Sequence, residues 1–287
     1  MQPDATLINT DAILKLREKT GAGMMNCKKA LTEAAGDYDK AVEILRNKGL
    51  ADAAKRSVRT TKEGLICGFV SADGKTGAII ELDCETDFVA KTEEFKNLAQ
   101  ALARAACEGQ LASPDSAAPI IQPVLAKLGE NMVLRRFERF GLQGPGLLAC
   151  YVHTSGGKKG AMIELSCSSD SVAAHEAIAE VAKELAMQTV AMSPKWVSRS
   201  DVPAEAVAKE KEIYTEVVRK EGKPEAAVGK IVEGKLNKLF FGAYCLGEQV
   251  SMRDNKTPMS KLVEEAAQKA GGTAAVKRLA RYQLGGE

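Results

Sequence analysis

This sequence has few aromatic residues and almost no histidine. Its 287 residues include seven Phe, five Tyr and one Trp, and the two histidines are His153 and His175. The chain contains neither an HExxH nor a CxxC sequence, so it offers no recognisable zinc site or histidine-base site. Because aromatics are scarce, an aromatic side chain in a polar, loop-like segment needs a specific explanation.

The sequence also lacks an excess of charge of one sign and lacks long apolar runs. The 40 Lys and Arg nearly balance the 38 Asp and Glu, so direct nucleic-acid binding is not expected. Met1–Thr10 lacks signal-peptide features and no 18-residue apolar run occurs, so we expect a soluble cytoplasmic protein without a membrane segment. The seven Cys are odd in number and lie mostly in apolar runs, which predicts reduced, buried thiols.

The first fifty residues have helical periodicity. Apolar residues recur at helical spacing, with interruptions at Gly21–Gly23 and Gly36–Asp37. This pattern predicts a three-helix module at residues 1–52, with the last helix ending near Gly49. The small, charged residues 53–63 are predicted to form a linker. Such a small module buries little surface and is expected to act as an appended docking module.

An internal repeat with a spacing of 83 residues is the strongest architectural signal. Gly77–Ala90 aligns without gaps to Gly160–Ala173, and nine of the fourteen positions are identical. β-type runs on either side of a turn at Ser71–Lys75 predict a hairpin in the first copy. The repeat therefore predicts an α+β protein with two duplicated subdomains, each containing an antiparallel sheet, that pack as a pair.

The first subdomain is predicted at residues 64–146. Helices are expected at Thr92–Ala106 and Val124–Leu128, followed by a strand at Met132–Phe140. Simple alternation along that strand predicts that one face carries Val133, Arg135, Phe137 and Arg139.

The second subdomain is predicted to be interrupted by an insertion. It comprises residues 147–201 and 241–287, with a strand-like pattern at Phe240–Met252, a helix at Met259–Lys269 and a closing strand through Ala280, Tyr282 and Leu284. Between its two parts, residues 202–240 contain two charged helical segments with a narrow apolar seam, which predicts an inserted antiparallel helical hairpin.

Glycine-rich segments and histidines carry no convincing catalytic pattern. Gly68–Thr76 contains Gly-Lys-Thr, but five residues rather than four separate its glycines, and it joins two strands instead of leading into a helix. We therefore predict a hairpin turn there. Both His153 and His175 are expected at the surface or in structural hydrogen bonds, and neither a cofactor nor a metal is predicted.

Glu85–Val89 is the most informative segment, because it lies where a strand ends and a helix has yet to begin. The second copy retains Asp and Val here but has Ser171 in place of Phe88. Phe88 either closes the local core or forms an exposed wedge, and the serine favours the wedge. Burial of one Phe ring in a partner's pocket contributes roughly 1.5–3 kcal/mol.

Met24 and Met25 form a second candidate contact surface together with Arg17. Two consecutive methionines on one helix cannot both face the core, so at least one is expected to be exposed and adaptable.

The chain resembles the translation elongation factor Ts family over nearly its whole length. Four segments carry the resemblance. These are Leu16–Leu31 (LREKTGAGMMNCKKAL), Glu85–Ala90 (ETDFVA), Leu128–Arg136 (LGENMVLRR) and Tyr151–His153. The resemblance implies an N-terminal module similar to ubiquitin-associated domains, two α+β core subdomains and an antiparallel coiled coil. It also implies a guanine nucleotide exchange factor for elongation factor Tu, active in protein biosynthesis and without catalytic residues of its own.

The same resemblance assigns residues to three contacts with elongation factor Tu. It implies that four residues intrude beside the partner's Mg²⁺ and phosphate region: Thr86, Asp87, Phe88 and Val89. It implies a grip on the G domain by Arg17, Met24 and Met25, and contacts with the third domain by Gly129, Glu130, Asn131 and His153. Because the chain ends soon after Leu284, we expect it to lack the C-terminal helix of longer relatives. A dimer of heterodimers is left open.

Two other function classes also stay open at this point. A protein-binding adaptor built on the N-terminal module predicts that Met1–Leu50 alone keeps most of the activity. A nucleotide-binding enzyme that uses the Gly68–Thr76 turn predicts that the chain binds GDP without a partner.

Overall fold

The computed structural model describes the backbone of residues 9–56 and 59–286 and the side chains of residues 9–48 and 59–286. Helices and two three-stranded antiparallel sheets make up this part of the chain, which confirms the predicted α+β class. No helix within these ranges is both long and apolar enough to cross a lipid bilayer.

Three helices form the N-terminal module: α1 (Thr10–Thr20), α2 (Met24–Glu33) and α3 (Tyr38–Arg56). Their core includes Leu16 and Leu31. The predicted helix end near Gly49 is wrong, and residues 53–56 of the predicted linker are helical. One helical Gly costs only about 1 kcal/mol, and the Ala, Lys and Arg that follow favour a helix. Residues 57 and 58 of that linker lie outside the described residues.

The first core unit begins with the predicted hairpin. β1 (Glu63–Val70) pairs with β2 (Thr76–Cys84), and then come α4 (Asp87–Ala90), α5 (Glu93–Cys107), α6 (Ala118–Leu128) and β3 (Met132–Gly141). The central strand of this sheet is β2. α6 begins at Ala118 rather than at Val124, because Pro119 lies in its first turn, where a missing N–H breaks no helical hydrogen bond.

A bulge in β3 changes which of its side chains share a face. The register between β2 and β3 shifts after Glu81, which makes Arg135 an extra residue in β3. Phe137 therefore packs on the same core as Leu134. The prediction that Val133, Arg135, Phe137 and Arg139 share one face is wrong, because strict alternation does not survive the extra residue.

The second core unit starts in the same way as the first. β4 (Gly146–Val152) pairs with β5 (Lys159–Cys167), and α7 (Asp170–Ala173) and α8 (Glu176–Met192) follow. The short α7 corresponds to α4 in the repeat, and both present a buried valine, Val89 in α4 and Val172 in α7. The sequence repeat is therefore also a repeat of structural elements.

Two charged helices interrupt the second unit, as predicted. α9 (Ala204–Lys220) and α10 (Glu225–Lys235) pack against each other, and a π-helical turn at Leu236–Phe241 leads into α11 (Gly242–Tyr244). The predicted strand at Phe240–Met252 is wrong, since helical turns occupy residues 242–244 and 246–248. Phe240 and Tyr244 lie one helical turn apart, which lets both rings pack against Trp196.

The chain closes the second sheet with its last two elements. α12 (Met259–Lys269) precedes β6 (Ala274–Gln283), and β6 pairs with β5. The two sheets pack through a shared apolar cluster of Ile66, Ile79, Phe140, Leu148, Met162, Ala280 and Tyr282. A backbone hydrogen bond of 2.7 Å from the Ile66 N–H to the Gly157 carbonyl also joins the units.

Candidate partner-binding site

The corner between β2 and α4 is built by residues 85–90. β2 ends at Cys84, and Thr86 adopts an extended conformation as the N-cap of α4. Its hydroxyl oxygen accepts a hydrogen bond of 3.4 Å from the Val89 N–H, as a Thr cap commonly does. The one-turn helix then turns Val89 into the core and leaves Phe88 outside.

Phe88 is 78% exposed, the most exposed of the large apolar side chains in the described part of the chain. The interpretation in which it closes the local core is therefore wrong. The equivalent Ser171 is also exposed, which shows that the position faces water in both copies. Removal of the Phe88 ring leaves no cavity, so the folded protein by itself gives no reason for a large apolar side chain there.

Asp87 presents a charged carboxylate beside Phe88. Its Oδ2 lies 2.6 Å from the Lys91 ammonium, four residues along the chain. The hydrogen bond from Lys91 is the main reason that the pKa of Asp87 lies below its usual range, and the charges of Lys91 and Lys158 add to the effect. Asp87 is therefore ionised at neutral pH. Lys158, which the sequence reasoning missed, is itself paired with Glu63 at 2.7 Å.

Glu130 and Asn131, expected from the resemblance to contact a partner's third domain, lie against the corner. The Glu130 carboxylate accepts hydrogen bonds from the N–H and the hydroxyl of Thr86 at 3.0 and 2.7 Å. Asn131 is buried, and its N–H donates to Glu85 at 2.6 Å. Gly129 precedes them as the left-handed residue that ends α6, with φ +79°. These contacts span more than forty residues, so no local sequence pattern indicates them.

The N-terminal surface carries the predicted contact residues on its exposed side. Met24 and Met25 are 36% and 65% exposed, and Arg17 is also exposed. The expectation that at least one methionine faces water is confirmed. Leu14, 41% exposed, lies three residues before Arg17 on α1 and is a further exposed apolar side chain of this module.

His153 lies at the end of β4 and is exposed, as predicted. Its Nδ1 is 3.1 Å from the Tyr151 hydroxyl. Both side chains line a cavity of about 240 Å³ together with Met187 and Met252. His175, the other histidine, has a structural role, because its Nδ1 accepts the Ala177 N–H at the start of α8.

The Gly68–Thr76 segment is a hairpin turn, as predicted. The Asp73 carboxylate accepts hydrogen bonds from the Ser71 hydroxyl and the Lys75 N–H. Both bonds lower the pKa of Asp73, so a negative charge occupies the turn. A phosphate-binding loop needs free N–H groups and a following helix N-terminus. This turn provides a carboxylate and a strand instead, which argues against nucleotide binding here.

Outside this corner, the described acidic, histidine and cysteine side chains show no metal-binding arrangement. Among the described side chains, no group of three or more His, Cys, Asp or Glu is arranged to hold a metal ion. All seven cysteines are free thiols, as predicted, and five of them are buried. Burial raises the pKa of Cys67 to about 11 and that of Cys150 to about 12, which keeps both protonated at neutral pH.

The chain is similar to known proteins over most of its length. Residues 85–286 match the family model described as elongation factor TS. Elongation factor Ts of Clostridium botulinum (strain Eklund 17B) is 43% identical over 290 residues, covering 97% of this chain and 93% of the relative. Elongation factor Ts of Nitratidesulfovibrio vulgaris (strain DP4) is 44% identical, covering 97% and 96%. Because the family model matches more than half of the chain and these relatives are more than 40% identical over 97% of it, this chain belongs to the elongation factor Ts family of translation elongation factors.

Proposed function

We propose that this protein is a guanine nucleotide exchange factor that binds elongation factor Tu and promotes GDP release during translation elongation. The observation that carries the proposal is the exposed Phe88 beside the ionised Asp87, on a corner whose duplicate has Ser171. Family membership supports the identity of the partner.

Phe88 and Asp87 supply two different forces in this proposal. The Phe88 ring gains free energy by entering an apolar pocket of the partner, and this moves the partner's backbone around the nucleotide. The Asp87 carboxylate approaches the same region as a negative charge. It attracts Mg²⁺ away from the diphosphate and repels the phosphate oxygens. Thr86 and Val89 flank the pair, with Thr86 capping α4 and Val89 anchoring it in the core.

Exchange requires more binding energy than one side chain supplies. Coupling between two ligands is reciprocal, so GDP weakens binding of the factor as much as the factor weakens binding of GDP. A thousandfold mutual weakening corresponds to about 4 kcal/mol, whereas one Phe ring contributes roughly 1.5–3 kcal/mol. We therefore assign the remaining energy to separate surfaces. Arg17, Met24 and Met25 bind the G domain, and His153 binds the third domain.

No covalent bond is made or broken in this mechanism, so the protein is proposed not to be an enzyme in the usual sense and to need no cofactor. We place it in the cytoplasm, where its partner acts. The proposed division of the chain is a module that ends with α3 at Arg56, a first subdomain that begins with β1 at Glu63 and runs to residue 146, a second at 147–201 with 241–287, and a hairpin at 202–240.

The deciding experiment measures release of a fluorescent GDP from elongation factor Tu with increasing concentrations of this protein. We expect the parent protein to accelerate release and Phe88→Ala to lower the maximal rate at least tenfold. Since Phe88 is exposed, the unfolding midpoint of the variant is expected to stay unchanged. Ser171→Ala alters the duplicate corner and serves as the matched control, with no effect expected.

Each possible result supports or overturns a specific proposal. Failure of the parent protein to accelerate release would overturn the exchange function. Normal acceleration by Phe88→Ala would overturn only the role of the ring. Binding of GDP to this protein alone would favour the nucleotide-binding enzyme, and full activity of residues 1–50 would favour the adaptor.

A further inference from the structure

We propose that Glu130 is a positioning residue that fixes the orientation of the Phe88 corner, rather than a residue that touches the partner. This inference rests on the proposed exchange function and refines it. The resemblance implies that the Gly129–Asn131 segment contacts the partner's third domain, whereas in the structure the Glu130 carboxylate and the Asn131 backbone N–H bind the corner.

Both oxygens of Glu130 are used by one residue of the corner. Oε2 accepts the Thr86 N–H at 3.0 Å and Oε1 accepts the Thr86 hydroxyl at 2.7 Å. Because that hydroxyl donates its proton to Glu130, its lone pairs face the Val89 N–H, which donates to it at 3.4 Å. Glu130 thus holds the group that caps α4. Rotation of Phe88 relative to β2 would break this chain of hydrogen bonds.

A second set of bonds runs in the opposite direction. Glu85, one residue before Thr86, accepts the Asn131 N–H at 2.6 Å, and the Asn131 amide donates to the Arg59 carbonyl at 3.0 Å. Residues 85–86 and 130–131 therefore bind each other reciprocally. We call these four residues and the hydrogen bonds between them the clasp. Asn131 is 4% exposed, so its side chain cannot reach a partner while the clasp is closed.

The duplicate corner lacks this clasp. There Ser168 donates its N–H to the Thr273 carbonyl, and its hydroxyl accepts the Thr273 N–H. No carboxylate takes part, and the cap of α7, Ser169, bonds the neighbouring Ser171. Hydrogen bonds to a charged acceptor are roughly twice as strong as neutral ones. The stronger clasp therefore coincides with the copy that carries Phe88.

Under the proposed function, the clasp keeps the corner rigid before the partner binds. α4 has four residues, too few to be a stable helix by its own hydrogen bonds. A flexible corner would lose conformational entropy when it enters the partner's pocket. It would also deform on contact instead of moving the partner's backbone. A corner fixed in advance avoids both losses, since preorganisation lowers the cost of binding.

The test uses Glu130→Ala in the full-length protein, which removes both acceptors. We expect the maximal rate of GDP release from elongation factor Tu to fall about tenfold, while the half-saturating concentration changes less than twofold. Glu130→Gln keeps the shape and one oxygen, so it is expected to restore part of the rate. Glu108→Ala removes an exposed carboxylate at the far end of α5 and should leave the rate unchanged.

A combined variant separates positioning from contact. If Glu130 acts through the corner, adding Glu130→Ala to a protein that already carries Asp87→Ala and Phe88→Ala lowers the maximal rate no further. Additive effects, or a raised half-saturating concentration with an unchanged maximal rate, would show a direct contact and overturn the inference.

Amide hydrogen exchange of the free protein gives a readout without the partner. Faster exchange at Thr86 and Val89 in Glu130→Ala is expected, and unchanged exchange contradicts the clasp.

Failure of the proposed function itself would look different. In that case the parent protein would not accelerate GDP release at all, while the hydrogen-exchange result would still test the clasp. Loss of rate explained wholly by a lower fraction of folded Glu130→Ala, measured by its unfolding midpoint at the assay temperature, would assign Glu130 a structural role only.

Discussion

The guanidinium of Arg136 in β3 lies 4.4 Å from the ring centroid of Tyr282 in β6, so a cation of the first core unit packs on an aromatic ring of the second. The relationship is reciprocal, because Arg278 in β6 lies 3.9 Å from the ring centroid of Phe140 in β3. The two units thus exchange equivalent contacts across their shared apolar cluster. These contacts link the first unit, which carries the Phe88 corner, to the second unit, which carries His153.

Each arginine also pairs with a buried glutamate at the bulge of its own sheet. Arg136 lies 2.7 Å from Glu81, and Arg278 lies 2.6 Å from Glu164. We expect Arg136→Met to lower the free energy of unfolding by about 3 kcal/mol, because the fully buried Glu81 would lose its closest cation. Arg278→Met is expected to have a comparable effect.

Urea unfolding followed by circular dichroism measures these losses. Arg253→Met is the control, since that side chain is 82% exposed and should show no measurable change. A loss below about 0.5 kcal/mol for Arg136→Met would show that the packing of Tyr282, rather than the charge, maintains this interface.

Asp83 gives a pH-dependent prediction. Burial, and next the charge of Glu81, raise the pKa of this carboxyl to about 6, although Arg135 and Arg136 oppose the shift. Its Oδ1 is buried without a hydrogen-bond partner. Since the folded pKa is higher than the unfolded one, Asp83 stabilises the fold when protonated, and this contribution is lost as pH rises through about 6.

Asp83→Asn removes that ionisation. We expect the variant to be about 1 kcal/mol more stable than the parent protein at pH 7.5, with the difference shrinking towards pH 4.5. Urea unfolding at the two pH values provides the measurement. A parent protein that is more stable than the variant at pH 7.5 would show that attraction to Arg135, 3.9 Å away, outweighs burial.

The base of the helical hairpin can be tested with its own fluorophore. Trp196 is the single tryptophan of the chain, and the Phe240 ring lies 5.9 Å from it by ring centroids. Phe240 is buried, so Phe240→Ala is expected to cost about 3 kcal/mol of stability. More of the indole, which is already partly exposed, would then meet water and its emission would shift to longer wavelength. Leu239→Ala, at a position 50% exposed, should leave both quantities unchanged. An unshifted Trp196 spectrum in Phe240→Ala would mean that the neighbouring Tyr244 alone shields the indole.

Local sequence patterns and the repeat were sufficient for much of this protein. The 83-residue repeat predicted two units with the same elements, and the exchange of Phe88 for Ser171 predicted an exposed aromatic. Tandem Met24 and Met25 predicted that at least one methionine is exposed. Each of these depends on residues that are close in the chain or repeated within it, so the pattern itself contains the information.

Tertiary structure decided what depends on distant residues. One extra residue, Arg135, turned Phe137 to the other face of β3, and packing around Trp196 made helical turns of Phe240–Glu248. The clasp between Thr86 and Glu130 joins residues 44 positions apart, and the Arg136–Tyr282 contact joins the two core units. Sequence periodicity reports only the side of an element that avoids water. Which polar groups meet across elements is fixed by the packing of the two sheets, because a buried carboxylate is stable only where a donor from elsewhere in the chain reaches it.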